Sequence, residues 1–341
     1  MKTKQSTLAL IADHALLPLL LALSALCWYT LGTARYYPDS AASLLAASTK
    51  VLVIAAGCAI VTASGGIDVS IAGQISLSLT TMALASSLGA HPALVVLCGV
   101  AVGAVCGALN GLLIAVLGVP AFLATLASNF IFSGIARTLI TSGISFSFKN
   151  FLSRAMDWSV LGVHLDAIIA LACLALAWFL TDRTCWGRYV LAVGLDSRAA
   201  AASGVHVRRV KWSCYFVSGL FCAIGGIVLS GNEGIAIAAA DVKLTLSSLA
   251  AIALTQMRLF RVPDRPVRVR VARLAVAVLL LELWTAWLEQ VSSWIYMRQM
   301  LCSLVLLAAA ALGAGRSERF FGKKERRNTD GGEKKTADRG R

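Results

Sequence analysis

The stretch from Asp182 to Lys211, DRTCWGRYVLAVGLDSRAAAASGVHVRRVK, is the longest polar interruption between two strongly apolar blocks of this chain. It carries Arg183, Arg188, Arg198, Arg208, Arg209 and Lys211 against only Asp182 and Asp196. A short basic loop between apolar spans reads as cytoplasmic, because lysine and arginine are retained on that side during insertion. Inside it lies a compact helix signal. Asp196 and Ser197 offer N-cap oxygens, Ala199 to Ala202 are the strongest helix formers, and Gly204 falls where a left-handed stop belongs. A two-turn helix lying flat beneath a membrane domain is either a docking element for a cytoplasmic partner or a capped connector between two spans. These residues alone leave both readings open.

The 341 residues are 58% hydrophobic and only 14% charged, with a mean hydropathy of +0.78. That excludes an ordinary soluble protein and predicts an all-α, polytopic integral membrane protein. Spanning helices need about 20 mostly apolar residues each. Ten are expected, at about 15–33, 43–63, 71–88, 93–116, 120–140, 165–181, 212–231, 244–258, 271–289 and 295–313. With both termini cytoplasmic, the inner segments hold 24 of the 31 basic residues. The net charge of +14 therefore reports topology, and no nucleic-acid partner is implied. Residues 1–315 read as the membrane domain. Residues 316–341 read as a basic, disordered cytoplasmic tail that touches anionic membrane lipid. The basic, apolar N-terminus resembles a signal peptide, but its long apolar run reads as an uncleaved first span. Of nine cysteines, all but Cys185 sit in apolar runs, and no pair has metal or redox spacing.

Several stretches point to particular tasks. Spans two and three are joined by Ser64-Gly65-Gly66-Ile67-Asp68-Val69-Ser70. Gly65 and Gly66 free the backbone, and Asp68 and Ser70 can bond its amide groups. This is either a broken-helix element beside a translocation pathway or a tight turn at the cytoplasmic face. Gly99, Gly103, Gly107 and Gly111 recur every fourth position and allow backbone-to-backbone packing of a neighbouring helix. Asn110 beside them reads as an interhelical hydrogen-bonding group before a pore-lining one. In the fifth span, Asn129 is a candidate for the path of a polar solute, and Arg137 near the outer end reads as a snorkelling side chain. The outer segment 141–164 mixes aromatic and charged residues, which suits a surface helix or a platform for an extracytoplasmic partner. Glu282 and Glu289 share one face of the ninth span. Chemistry is sparse: there is no G-x-x-x-x-G-K-[ST] stretch, no metal site and no catalytic constellation, so no enzyme and no directly bound cofactor are expected.

Three stretches together resemble the membrane subunit of bacterial ATP-binding-cassette importers for simple sugars, the ribose/xylose/galactose permease type. SGGIDVSIAGQISLS (64–78) looks like that family's T-G-G-I-D-L-S segment, and ASNFIFSGIARTLITSG (127–143) is similar to its fifth-span motif with an arginine. GRYVLAVGLDSRAAAASGVHVRRVKWSCYFVSGLFCAIGGIVLSG (187–231) resembles its cytoplasmic coupling segment most specifically. The resemblance implies a bacterial inner-membrane permease subunit that supplies alternating access for a monosaccharide or related solute. Its implied partners are a cytoplasmic ATPase that carries the ATP, an extracytoplasmic solute-binding protein and a second permease subunit. It further implies coupling to the ATPase through Asp196, Ser197, Ala199, Ala200, Ala201, Ser203 and Gly204, and gating through Gly65, Gly66, Asp68, Ser70, Asn129 and Arg137. Where the family carries a glycine-rich loop after the eighth span, this chain has Thr255 to Pro266. A homodimer, a heterodimer with a more typical permease, and a retired permease kept as a scaffold are thus alternatives. A stand-alone transporter coupled to ions through acids such as Glu282 is another.

Overall fold

The computed structural model describes residues 40–140, 151–160, 163–233, 242–256 and 271–291, with a few isolated positions outside them. The helices are α1 (Ser40–Ala63), α2 (Ile71–Ser87), α3 (Pro92–Gly111), α4 (Ala121–Ile140), α5 (Leu152–Asp157), α6 (Leu165–Trp178), α7 (Cys185–Leu195), α8 (Ser197–Ala202), α9 (Val207–Glu233), α10 (Val242–Gln256) and α11 (Val271–Val291). Helices α3 and α6 each run on into a π-helical turn, Leu112–Val116 and Phe179–Arg183. The only strands among the described residues are β1 (Ser159–Val160) and β2 (Val163–His164), which pair antiparallel, Ser159 with His164 and Val160 with Val163.

Eight of the ten expected spans coincide with these helices; 15–33 and 295–313 lie outside the described residues. Five are long and apolar enough to cross a membrane: Leu45–Ala63, Pro92–Val116, Ala121–Ile140, Leu165–Arg183 and Val207–Asn232. The tail 316–341 and the departure at 257–266 also lie outside.

Burial sorts the spans into a core and a rim. The spans of α1 and α9 are 72% and 78% buried, whereas those of α3, α4 and α6 are buried over only about a third of their length or less. A membrane protein turns its unburied apolar side chains to lipid, so Leu94, Leu97, Phe122, Phe130 and Leu171 form the rim. The core is built on glycine. A methyl group on Gly219 of α9 would strike the Gly103 carbonyl and the Gly107 backbone of α3. One on Gly57 would strike Phe221, and one on Gly225 would strike Ile54. The expected glycine stripe divides its duties: Gly103, Gly107 and Gly111 meet α9, whereas Gly99 meets Met82 of α2. With lipid as the solvent, such close approach supplies the dispersion contact that holds helices together.

Candidate functional site

The chain leaves α1 through a complete left-handed stop. Gly65 has φ +79°, Gly66 N–H donates to Val61 O, and Gly65 N–H donates to Thr62 O. The five residues after it are irregular until α2 begins at Ile71. Gly65 and Ile67 of this link are exposed, whereas Asp68 and Ser70 are fully buried. Asn110 and Ser218, which bond to it, stand 6 and 11 residues inside the ends of the continuous helices Pro92–Val116 and Val207–Glu233, or about 9–17 Å at 1.5 Å per residue. Irregular backbone at that depth needs polar groups satisfied by protein, and side chains supply this at Ile67 O and at Ser70 N–H.

Asp68 is the centre of the arrangement, fully buried. Its Oδ1 accepts from Ser70 N–H at 3.0 Å and from the Ser70 hydroxyl at 2.5 Å, and its Oδ2 accepts from the Ser218 hydroxyl of α9 at 3.0 Å. Ser70 Oγ in turn accepts from Gln74 Nε2 at 2.6 Å and from Asn110 Nδ2 of α3 at 2.8 Å. Tyr215 of α9 donates its phenol to Ile67 O at 3.2 Å. One carboxylate and one hydroxyl thus join α2, α3 and α9. The amide oxygens of Gln74 and Asn110, both buried, have no protein partner among the described residues. Asn129 takes a different job: its Oδ1 accepts from Gly73 N–H at 2.8 Å, fastening α4 to the first turn of α2. Arg137 is exposed in the last turn of α4, two turns from Asn129, and is not brought to the knot.

The polar segment 182–211 contains one helix more than expected. Thr184 caps α7 by accepting from Gly187 N–H at 3.1 Å, and Gly187, Val190 and Val193 turn inward at three-residue spacing. Gly187 abuts the carbonyls of Leu180 and Thr181, and Gly194 abuts that of Ala63, so α7 lies directly against α1 and α6. Trp186 Nε1 donates to Ser213 Oγ of α9 at 2.7 Å.

Next, Asp196 Oδ1 accepts from the N–H groups of Arg198 and Ala199 at 2.9 and 3.1 Å, which starts α8. Gly204 (φ +84°) ends it: Val205 N–H reaches Ala200 O and Gly204 N–H reaches Ala201 O. The Ser203 hydroxyl donates to Ala199 O at 3.0 Å. Asp196, Ser203 and Gly204 therefore shape the helix, and Ala200 faces inward at 5% exposure. The outward surface is Arg198, Ala199, Ala201 and Ala202, with Ser197 half-buried at its start. A cleft of about 270 Å³ opens beside it, lined by Tyr189, Ser203, Val205, His206 and Arg209.

Sequence reasoning passed over Gln74, Ser218 and Tyr215, and a second buried carboxylate at the opposite end of the bundle. Asp166, in the first turn of α6, accepts at Oδ2 from Thr49 Oγ1 at 3.2 Å and from Asn232 Nδ2 at 3.3 Å. Its Oδ1 accepts from Ala167 N–H at 2.7 Å. Of the two ninth-span acids, Glu282 is buried in α11, while the side chain of Glu289 lies outside the described ones. No group of three or more histidine, cysteine or acidic side chains able to hold a metal occurs among the described residues.

The chain is 35% identical over 204 residues to a fructose import permease of Rhizobium meliloti, covering 57% of this chain and 56% of that one. It is 32% identical over 193 residues to a galactofuranose transporter permease of Escherichia coli (strain K12), covering 55% of each. With a ribose import permease of Haemophilus influenzae it shares 27% over 219 residues, 63% of this chain and 68% of that one. The first two matches span little more than half of the relatives' length. No solved structure matches. Residues 40–310 match the family described as "branched-chain amino acid transport system / permease component", and the chain, a multi-pass inner-membrane protein, belongs to that family.

Proposed function

We propose that the chain is the membrane-spanning permease subunit of an ATP-driven importer for a monosaccharide or related small polar solute. ATP is hydrolysed on a separate cytoplasmic subunit, an extracytoplasmic binding protein delivers the solute, and a second permease subunit completes the pathway. Residues 1–315 form the permease and 316–341 its cytoplasmic tail, which contacts lipid. The names of the three relatives, import permeases or transporters for fructose, galactofuranose and ribose, support the solute class.

The observation that carries this reading is α8. It is capped at both ends, presents Arg198, Ala199, Ala201 and Ala202 outward, and passes directly into α9. A rigid helix of this kind serves as the two-state element through which a docked ATPase biases the spans. The knot at Asp68 sits where such a bias would act on the irregular link, with the free oxygens of Gln74 and Asn110 close by. A stand-alone ion-coupled transporter is the second reading, favoured by the buried carboxyl of Glu282.

The test is affinity purification of the tagged chain from its native membranes in mild detergent, followed by an ATPase assay. Recovery of an ATPase subunit that is lost on Ala201→Asp is the expected result. Ala201 is the site of choice because it points outward, whereas an acid at Ala200 would disturb the fold itself. Recovery of the folded chain alone, without ATPase, overturns the importer reading in favour of the second.

A further inference from the structure

Helices α6 and α9 each pack against α1 and make little contact with each other. They meet at one point, where Asn232 of α9 donates to Asp166 of α6 at 3.3 Å, with a second bond from the same amide to Ala46 O of α1 at 3.4 Å. The hydroxyl of Thr49 in α1 completes the cluster at 3.2 Å, sharing its proton with Ala46 O at 2.8 Å. By the topology derived from the charge distribution, all three residues stand at the outer end of the bundle. Asp166 is only 4% exposed there. Just beside it, α5 presses Met156 against Gly231, and the Ser153 hydroxyl donates to Gly231 O at 3.1 Å.

Three features separate this cluster from ordinary packing. Its interhelical bonds, at 3.2–3.4 Å, are longer than the 2.5–3.0 Å bonds around Asp68. Hydrogen bonds weaken as they lengthen through this range. It joins two helices that make little direct contact, so these bonds are the main tie between α6 and α9, and the apolar face of α6 (Ala170, Cys173, Leu174, Ala177) packs in the core beside α1 instead. Finally, Asn232 ends the same helix that α8 adjoins. The 27 residues of α9 reach about 40 Å as a continuous rod, and the glycine contacts at Gly219 and Gly225 fasten that rod to α3 and α1.

We propose that Asp166, Asn232 and Thr49 form an outer latch, and that displacement of α9 from its cytoplasmic end opens and recloses it during turnover. The inference rests on the importer reading, since it takes α8 as the point where the driving subunit acts. An empty, latched bundle keeps its outer mouth shut. Releasing the Asn232 amide uncouples α6 from α9, so that α6 tilts at its outer end while its inner half stays packed on α1.

The test uses the whole complex with Asp166→Cys and Asn232→Cys introduced together, in a background carrying Cys185→Ser. A short, reducible bis-methanethiosulfonate links the two thiols, and the linked fraction is read from the intact mass. A contact that is merely structural is strengthened by such a link and leaves activity alone. The latch predicts at least a tenfold fall in the ATPase rate of the linked complex relative to the same complex before linking, restored by dithiothreitol, whereas the reagent does not change the rate of either single-cysteine chain. A fully linked complex that hydrolyses ATP at the unlinked rate overturns the latch, and so does failure of the two thiols to link at all. Absence of ATPase from the unsubstituted chain is a separate outcome: it overturns the importer reading on which the latch depends.

Discussion

Ser218, eleven residues into α9, donates its hydroxyl to Oδ2 of Asp68 at 3.0 Å across 150 positions of sequence. This bond ties the irregular link between α1 and α2 to the helix that follows α8. Any movement of α9 along its axis is therefore felt at Asp68. The carboxylate satisfies three donors from two elements at once, and a buried donor without an acceptor is costly.

Replacing Asp68 therefore separates shape from chemistry. Asp68→Ala strands the Ser70 N–H, the Ser70 hydroxyl and the Ser218 hydroxyl and should cost more than the roughly 1–3 kcal/mol of a single stranded buried group. Asp68→Asn keeps one oxygen acceptor and the volume, so its loss should be smaller. Thermal unfolding in detergent should rank wild type, Asn and Ala in that order. Equal midpoints for the two variants would refute a role for the acceptor oxygens.

Glycine substitutions should divide sharply by position. Gly219→Ala forces a methyl into the Gly103 carbonyl and the Gly107 backbone, and overpacking of this kind costs about 1–3 kcal/mol. Gly134 in α4 has nothing within 4 Å of an added methyl. Gly134→Ala should leave stability unchanged or raise it by up to about 1 kcal/mol through helix propensity. The same melting experiment checks both.

Loss of the α8 cap should be visible to a protease. Asp196→Ala removes the acceptor for the N–H groups of Arg198 and Ala199, a change worth about 1 kcal/mol at an N-cap. Tryptic cleavage after Arg198 should accelerate several-fold in that variant. Asp196→Ser, which retains a capping oxygen, should cut at close to the wild-type rate.

Thiol labelling tests the topology. Cys58, Cys106, Cys173, Cys214 and Cys222 are buried, Cys98 is partly so, and Cys185 at the start of α7 is exposed. A membrane-impermeant maleimide should label Cys185 in inside-out vesicles and spare it in right-side-out ones. Labelling from the outer side would invert the orientation drawn from the basic residues.

Much of this molecule was legible in its sequence, and for nameable reasons. Apolar runs of span length placed eight helices, because burial in lipid demands contiguous apolar residues whatever their neighbours. The ends of α8 were legible at Asp196 and Gly204, since capping is local chemistry. The close-packing role of the α3 glycines and the interhelical bond of Asn110 followed from spacing and depth. Helix α7 was missed: its charged flanks made the whole loop look polar, although the inward face of Gly187, Val190 and Val193 carried a helical spacing. The partners of the two buried carboxylates were beyond reach. Ser218 and Thr49 are ordinary hydroxyls within apolar helices, and their significance appears only when residues 150 and 117 positions apart are brought together. Ala200 is indistinguishable from its neighbours in the sequence, because propensity does not say which side of a two-turn helix faces in.

The backbone contact of Gly103 and Gly107 with Gly219 has a use for whoever follows this protein in motion. Main chains packed this closely lose much dispersion contact if they part, so α3 and α9 are expected to travel as a single body. A pair of spin or fluorescent labels on these helices, set away from the contact, would hold a constant separation throughout a working cycle. That pair would serve as a built-in yardstick against which the swing of every other helix could be calibrated.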